Sequence, residues 1–373
     1  MIQAQIKLRI KSKQEAVLNM WLFILRGVWN WAIRKIELDA KDRIYYQKHK
    51  FQNLLADHGE KLEIPSHTLQ GVLCMAWDSW KRCFKKLAKK PKLKGWRNPL
   101  NSIPFPDPLP RPDGIHIKIP GLGLLRFHKQ EIPEGKIKCG RIVKRASGWY
   151  LCLIIEASPK PIPKISNWKI GIDPGYKTTL TLSSGKKIEV PKELAIAEKR
   201  LIQANKSLGS FKKVKKGEKR KEPKFKKKGT LLAKLHEKIK NKRKDNNHKL
   251  SRQLVSENSM IVFSKDNIKG LARKFGKSVA EASHYQLRQM LSYKSHAGGR
   301  EYIEVNSKKS TMTCSSCLSL TGPTGLAGLQ VRYWECSCCG THHDRDVNAS
   351  INTLLAGFGT NHERKRKLSS GIP

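Results

Sequence analysis

Cys314-Ser-Ser-Cys317 and, about twenty residues on, Cys336-Ser-Cys-Cys339 are followed at once by Asp344-Arg-Asp346-Val-Asn-Ala349. Two Cys-x-x-Cys pairs at this spacing offer four thiolates, from Cys314, Cys317, Cys336 and Cys339. Four thiolates suit a tetrahedral, structural Zn²⁺ site. Acidic residues directly behind such a unit suggest a zinc element inserted beside a second, oxygen-lined metal site.

Charge indicates what such a site faces. The formal net charge is +45 over 373 residues, with a pI near 10.1. That imbalance attracts polyanions and makes binding salt-dependent. The run Met20-Trp-Leu-Phe-Ile-Leu is stopped by Arg26, short of the roughly 18 apolar residues a bilayer span needs. No signal peptide is evident at the N-terminus. Four of nine cysteines lie in metal-type pairs, which fits a reducing compartment better than a disulfide framework. The expectation is a soluble, intracellular chain of two domains with small insertions and no membrane partner.

Alternation of Ile2, Ala4, Ile6, Leu8 and Ile10 predicts a strand. Ser12-Lys-Gln-Glu15 then reads as a capping box opening a helix to about Leu38. A second helix is predicted near Thr68–Lys89, with Leu69, Val72, Ala76, Trp80, Phe84 and Leu87 on one face. Its end is dense in base: Lys81, Arg82, Lys85 and Lys86 are candidate nucleic-acid contacts. Residues 98–110 are too proline-rich to be helical throughout. Short strands at 115–119, 123–127, 136–139 and 149–157 predict a small barrel or sheet. Ser158-Pro-Lys-Pro-Ile-Pro163 reads as a stiff interdomain linker.

A strand at Trp168–Asp173 opens the second domain. The segment 211–228 is too charged to pack alone and reads as a solvated loop that contacts phosphates. Its candidates are Lys212, Lys213, Lys215, Lys216, Lys226, Lys227 and Lys228, joined by Lys242 and Arg243 in a helix predicted at 231–255. A strand at 260–264, a helix around 279–294, a strand at 301–305 and a last helix at 346–355 follow.

Asp173 ends an apolar strand in Ile170-Gly-Ile-Asp-Pro-Gly175, where a buried carboxylate needs a metal, a cation or water. An Asp-Pro-Gly turn explains the same residues. The strand pattern also occurs in ribonuclease H-like folds, both resolvases and ATPases. The charge and the lack of a second phosphate-binding glycine motif disfavour the ATPases. Asp346 reads either as a helix N-cap or as a second carboxylate, with Asp344 an alternative ligand. Two aspartates from distant segments can hold Mg²⁺ for phosphodiester hydrolysis.

At this point the chain resembles the TnpB family, RNA-guided nucleases encoded by insertion sequences and related to type V CRISPR effectors. The resemblance runs through the first strand and helix, Gly171-Ile-Asp-Pro-Gly175, Leu235-His-Glu-Lys-Ile239, Arg243-Lys-Asp245 and Leu250-Ser-Arg252. Asn267-Ile-Lys-Gly270, Leu291-Ser-Tyr-Lys294, Ser310-Thr-Met-Thr-Cys314, the second cysteine pair and Arg345-Asp-Val-Asn-Ala349 complete it. It implies an α+β fold: an N-terminal wedge-type β-barrel over 1–157 with a helical recognition insertion at about 14–92, then a RuvC-like α/β domain over 168–307 and 343–358. An inserted zinc-ribbon element would span 308–342 and a basic tail 359–373. The implied partners are a guide RNA and a double-stranded DNA target. The implied place is the prokaryotic cytoplasm, at the nucleoid.

One departure is serious. The family carries Asp, Glu and Asp; the outer two match Asp173 and Asp346, but the glutamate position is Ser264. Some relatives move the acid to just before the first cysteine pair, where this chain has Ser307. Asp266 is the best substitute, with Glu304 and Glu257 behind it. The resulting expectation is RNA-guided DNA binding with cleavage impaired at a weakened Mg²⁺ site. The alternatives are an active Mg²⁺-dependent endonuclease using Asp266, or a transposon-encoded DNA-binding protein that needs no RNA.

Overall fold

Alternation at the N-terminus becomes strand β1 (Ile2–Arg9) in the computed structural model, with Ala4, Ile6 and Leu8 buried. The structure describes residues 1–96, 98–158, 161–175, 180–189, 191–212, 222–265, 284–306, 308–324, 328 and 330–359. Two units emerge, Met1–Pro159 and Lys160–Pro373.

In the first unit, helix α1 (Ser12–Lys41) follows β1. Ser12 lies inside the helix rather than capping it; the Gln14 side chain reaches back to accept from the Lys11 N–H at 3.1 Å. By length and composition α1 could cross a membrane. Its Leu18, Trp21, Leu25, Trp29 and Ile33 are instead buried in the core of this unit. The short helix α2 (Lys48–Gln52) leads to α3 (Ser66–Phe84). Leu69, Val72, Ala76 and Trp80 are buried on α3 as their spacing predicts. The helix stops before the predicted Lys89: Lys86 has φ +56°, and Phe84 and Leu87 are exposed. The basic run from Lys85 onward therefore lies beyond the helix.

Strands β2 (Ser102–Phe105), β3 (His116–Ile119), β4 (Gly123–Phe127), β5 (Lys136–Arg145) and β6 (Gly148–Glu156) complete a six-stranded sheet. Its order is β2-β5-β6-β1-β4-β3, antiparallel throughout. The proline-rich stretch thus holds a strand that composition hides. Pro104 is tolerated because β2 is an edge strand, where a missing N–H costs little.

The second unit is built on β7 (Trp168–Pro174), β8 (Leu180–Leu182), β9 (Lys187–Ile188), β10 (Asn258–Lys265) and β11 (Glu301–Asn306). The order is β11-β10-β7-β8-β9, with β11, β10 and β7 parallel and the other pairs antiparallel. Helices α4 (Lys192–Lys212), α5 (Glu222–Glu257) and α6 (His284–Ala297) lie between these strands in sequence. The hairpin β12 (Tyr333–Glu335) and β13 (His342–Asp344) precedes the last helix, α7 (Arg345–Gly357).

The two faces of this sheet carry separate cores. Ile170, Ile172, Ile261 and Phe263 pack with Leu250, Leu254, Leu287 and Leu291 of α5 and α6. Met260 and Val262 pack with Leu354 of α7 on the other face. Residues 222–228, expected in a solvated loop, form the start of α5. Lys213, Lys215 and Lys216, the stretch 279–283 and the tail beyond 359 lie outside the described residues.

Candidate metal centre and acidic site

The cysteine pairs close on each other. Sγ atoms of Cys314, Cys317, Cys336 and Cys339 all lie within 4.8 Å of one another. Cys314–Cys339 is 3.7 Å and Cys317–Cys336 is 3.6 Å. Thiolates 2.3 Å from a tetrahedral zinc sit about 3.8 Å apart, so the donor set fits the ion. Both knuckles have one design: the N–H after the second cysteine returns to the carbonyl of the first, Leu318 to Cys314 at 2.9 Å and Gly340 to Cys336 at 2.8 Å. That turn needs a left-handed residue, and Leu318 and Gly340 have φ of +67° and +68°. Hydroxyls of Ser319 and Thr321 pull the Cys336 thiol down to about 5, which favours the thiolate a metal needs. Burial pushes Cys314 up to about 12, and Nε2 of the buried His343 stands 3.0 Å from its Sγ. The fifth cysteine of this region, Cys338, is exposed.

The acidic residues are positioned by α7. A Cβ on Gly171 would lie 2.2 Å from the Ser350 carbonyl oxygen and 2.7 Å from Leu354 Cβ, so only glycine lets the helix sit this close to β7. Two residues earlier, the Lys169 ammonium stands 5.3 Å from the centroid of the Phe358 ring. Contacts retreat along α7 as β7 advances, so helix and strand run antiparallel. Asp173 shares the face of Lys169 and Gly171, the face that α7 packs against, and Asp346 lies in the first turn of α7.

Ser264 belongs to the same face. Val262 pairs with Gly171 and Phe263 with Ile172; Ser264 follows Phe263 in β10 as Asp173 follows Ile172 in β7. Ser264 is 1% exposed, and its Oγ has no hydrogen-bond partner among the described residues. Asp266 and Ser307 lie outside the described residues. Glu304 faces the opposite side, ion-paired with the Arg288 guanidinium at 3.2 Å and accepting from the Tyr302 hydroxyl at 3.1 Å. Glu257 precedes β10, at the far end of the strand from Ser264.

The capping role expected of Asp346 falls to Asp344, whose Oδ1 accepts from the N–H groups of Asp346 and Val347 at 3.0 and 3.1 Å. Burial alone would raise the Asp344 pKa, but Lys187 at 2.7 Å and these N–H groups hold it below the usual range. Asp344 is thus engaged as a cap and in an ion pair. Asp346 accepts from Arg332 Nη1 at 3.3 Å. Among the described residues, the four cysteines are the only group of three or more His, Cys, Asp or Glu with ligand atoms this close.

The basic candidates divide. Lys81, Arg82, Lys85 and Lys86 are exposed, Lys81 with its ammonium over the Trp77 ring. Lys227 is exposed, and Lys228 Nζ reaches Ser207 Oγ at 2.8 Å. Lys242 and Arg243 are held in 2.6 Å ion pairs with Glu193 and Glu198, which join α5 to α4. Sequence reading missed α4, so it missed these acids as partners.

Comparison with known proteins follows these elements. A family model described as "Probable transposase" (OrfB_IS605) matches residues 153–274, and one described as "Cas12f1-like, TNB domain" matches 284–353. A "Putative RNA-guided DNA endonuclease" of Streptomyces pristinaespiralis is 34% identical over 232 residues, covering 61% of this chain and 55% of that protein. The chain therefore spans about half the length of that relative. The "TnpB-like protein L79" of Acanthamoeba polyphaga mimivirus is 28% identical, covering 56% of this chain and 41% of its own. The "Putative RNA-guided DNA endonuclease InsQ" of Escherichia coli K12 is 23% identical, covering 94% and 91%. A solved Cas12f1-sgRNA-target DNA complex superimposes with a TM-score of 0.58 at 15% identity, covering 92% of this chain and 83% of that one. At that identity it shows a shared α+β fold.

Proposed function

We propose, from the premise that the chain belongs to the TnpB family, that it is an RNA-guided DNA-binding protein whose nuclease centre is disarmed. The second unit is read as a RuvC-like domain over 168–307 and 343–358, with the zinc-ribbon element inserted at 308–342. Strand order β11-β10-β7-β8-β9 with α7 on one face supports that reading. The first unit is read as the wedge, with α1 to α3 its recognition insertion. Pairing with a guide RNA would select the sequence, and the protein would hold the duplex backbone and a short adjacent motif. Its exposed lysines and net charge suit that role. It would act in a prokaryotic cytoplasm, at the nucleoid.

The reading of lost cleavage is supported by the buried Ser264, one residue beyond the Phe263–Ile172 pair as Asp173 is, on the sheet face of Val262 that α7 packs against. A nuclease centre of this class stabilises charge on a phosphodiester through acid-held metal ions. Removing one electrostatic element from such a centre costs about 10²–10³ in rate. Asp173 and Asp346 would be the retained ligands of a weakened Mg²⁺ site, and Mg²⁺ would supply Lewis-acid activation of water. Ser264 presents no charge to complete that set.

The test uses protein purified with its bound RNA. A discrete co-purifying RNA and guide-matched DNA binding are expected, with cleavage in Mg²⁺ at least 10²-fold below that of a Ser264→Glu variant. Recovery of no discrete RNA would point to RNA-independent DNA binding instead. Efficient wild-type cleavage that disappears in Asp266→Ala would restore the active-endonuclease reading.

A further inference from the structure

We propose that Asn348 and Asn352 are positioning residues through which the four-cysteine site seats α7, and with it the Asp346 carboxylate. The catalytic sense of this rests on reading Asp173 and Asp346 as an acidic site; the mechanical sense does not.

Asn348 is 1% exposed. Its Oδ1 accepts from the Ser315 N–H at 2.8 Å, and its Nδ2 donates to the Thr313 carbonyl at 2.8 Å and to the Ser310 carbonyl at 3.4 Å. One helical turn on, Nδ2 of Asn352 donates to the same two carbonyls, at 2.6 Å to Thr313 and 2.8 Å to Ser310. Spacing of four residues puts both carboxamides on one face of α7. Every partner is backbone flanking Cys314, the first ligand of the first knuckle. A buried carboxamide matched on both its oxygen and its nitrogen fixes direction as well as distance, and leaving it unmatched is costly.

The second knuckle reaches the same helix by another route. From Cys339 the chain runs through β13 to Asp344, which caps α7. The two knuckles thus hold α7 at its first turn and along its first two turns, and they are joined to each other through the cysteine site. Metal, first knuckle, asparagine pair, α7, cap, second knuckle and metal make a closed ring. Asp346 lies inside that ring, between the cap and the asparagine pair. Removing the metal opens the ring and frees the Thr313–Ser315 backbone from its fixed place. This also accounts for the asparagine in Arg345-Asp-Val-Asn348: it ties the helix to the metal element rather than contacting a substrate.

The test is hydrogen exchange across residues 345–357 of the full-length protein, zinc-loaded and chelator-stripped. In the wild type, stripping is expected to speed exchange in the first two turns of α7 by roughly tenfold or more. In Asn348→Ala/Asn352→Ala, α7 is expected to exchange fast even with zinc bound, and stripping should add little. A role in packing alone would leave the zinc-dependent step intact in the variant, so that result overturns the proposal. So does a wild-type α7 whose exchange ignores zinc. If the double variant does not fold, Asn352→Ala carries the same comparison, with a reduced zinc-dependent step expected and an undiminished one fatal. Terbium luminescence on the same proteins reads the acids separately. Binding of Tb³⁺ that Asp173→Ala does not weaken would remove the acidic-site reading and leave the exchange result standing for the clamp.

Discussion

At Gly171 the absence of a side chain decides how near α7 comes to β7. Gly171→Ala would drive a Cβ to 2.2 Å from a backbone oxygen, which no side-chain rotation relieves. We expect it to destabilise the protein by about 1–3 kcal/mol or more in urea unfolding. Gly209→Ala, on α4 with nothing within 4 Å of the added carbon, should instead stabilise by about 0.5–1 kcal/mol. Lys294 offers a second test. Burial, with the nearby Arg252, brings its pKa down to about 8, while Nζ donates to the His248 carbonyl and Ser251 Oγ at 2.7 Å each. The unfolded chain keeps that proton up to about 10.5, so between about pH 8 and 10.5 the unfolded state binds more protons. Stability supplied by this residue therefore rises with pH across that window. Wild type should gain on Lys294→Met as pH increases through it, measured by denaturant midpoints; a difference that stays flat would refute the burial argument.

Among the elements, the cysteine knuckles are the most self-contained. Each is a few residues closed by one backbone hydrogen bond and a left-handed residue, and neither buries enough apolar surface to hold itself without a metal. Cys336→Ser is expected to release the ion and loosen both the hairpin β12–β13 and α7, read by metal content and thermal unfolding together. Unchanged metal content would show that the four thiolates are not the ligands. Helix α1 shows how an element can mislead in isolation. Its composition would suit a bilayer, but Leu18, Trp21, Leu25 and Trp29 face a core, with Met20, Phe23 and Trp31 left on the surface. The end of α3 shows a different failure of periodicity. Phe84 and Leu87 continue the apolar spacing of Leu69 to Trp80, but the helix ends at Phe84 and both side chains are exposed.

For the whole molecule, charge and unit structure set the expectations. A net charge of +45 should make nucleic-acid binding steeply salt-dependent. If six to ten phosphates are neutralised, affinity should fall by about 10³–10⁵ between 50 and 200 mM salt. Filter binding across that range measures it, and a shallow dependence would mean that the lysines are not at the interface. The first unit has a core of its own, from Ala4 to Ile155. A fragment of residues 1–158 is expected to unfold in one cooperative transition, checked by circular dichroism.

By itself the sequence determined the local chemistry. The spacing of Cys314, Cys317, Cys336 and Cys339 fixed a four-thiolate cluster, because two short knuckles can present four sulfurs with little help from the rest of the fold. Alternation and helical period located β1, α1, β7, β10 and α7 to within a few residues, because one buried face imposes its period on each. It also placed Ser264 where the family resemblance implies glutamate. Tertiary structure decided what depends on neighbours distant in the chain. It gave the N-cap to Asp344 and left Asp346 to Arg332, although local pattern fits either aspartate. It turned Glu304 toward Arg288 and away from Asp173, and it bound Lys242 and Arg243 to acids of a helix that composition did not reveal. Above all it paired Val262 with Gly171 beneath α7 and locked Asn348 to the Cys314 knuckle. The physical reason is common to all of these: strand register and helix seating are set by packing between segments, and no local sequence pattern encodes them.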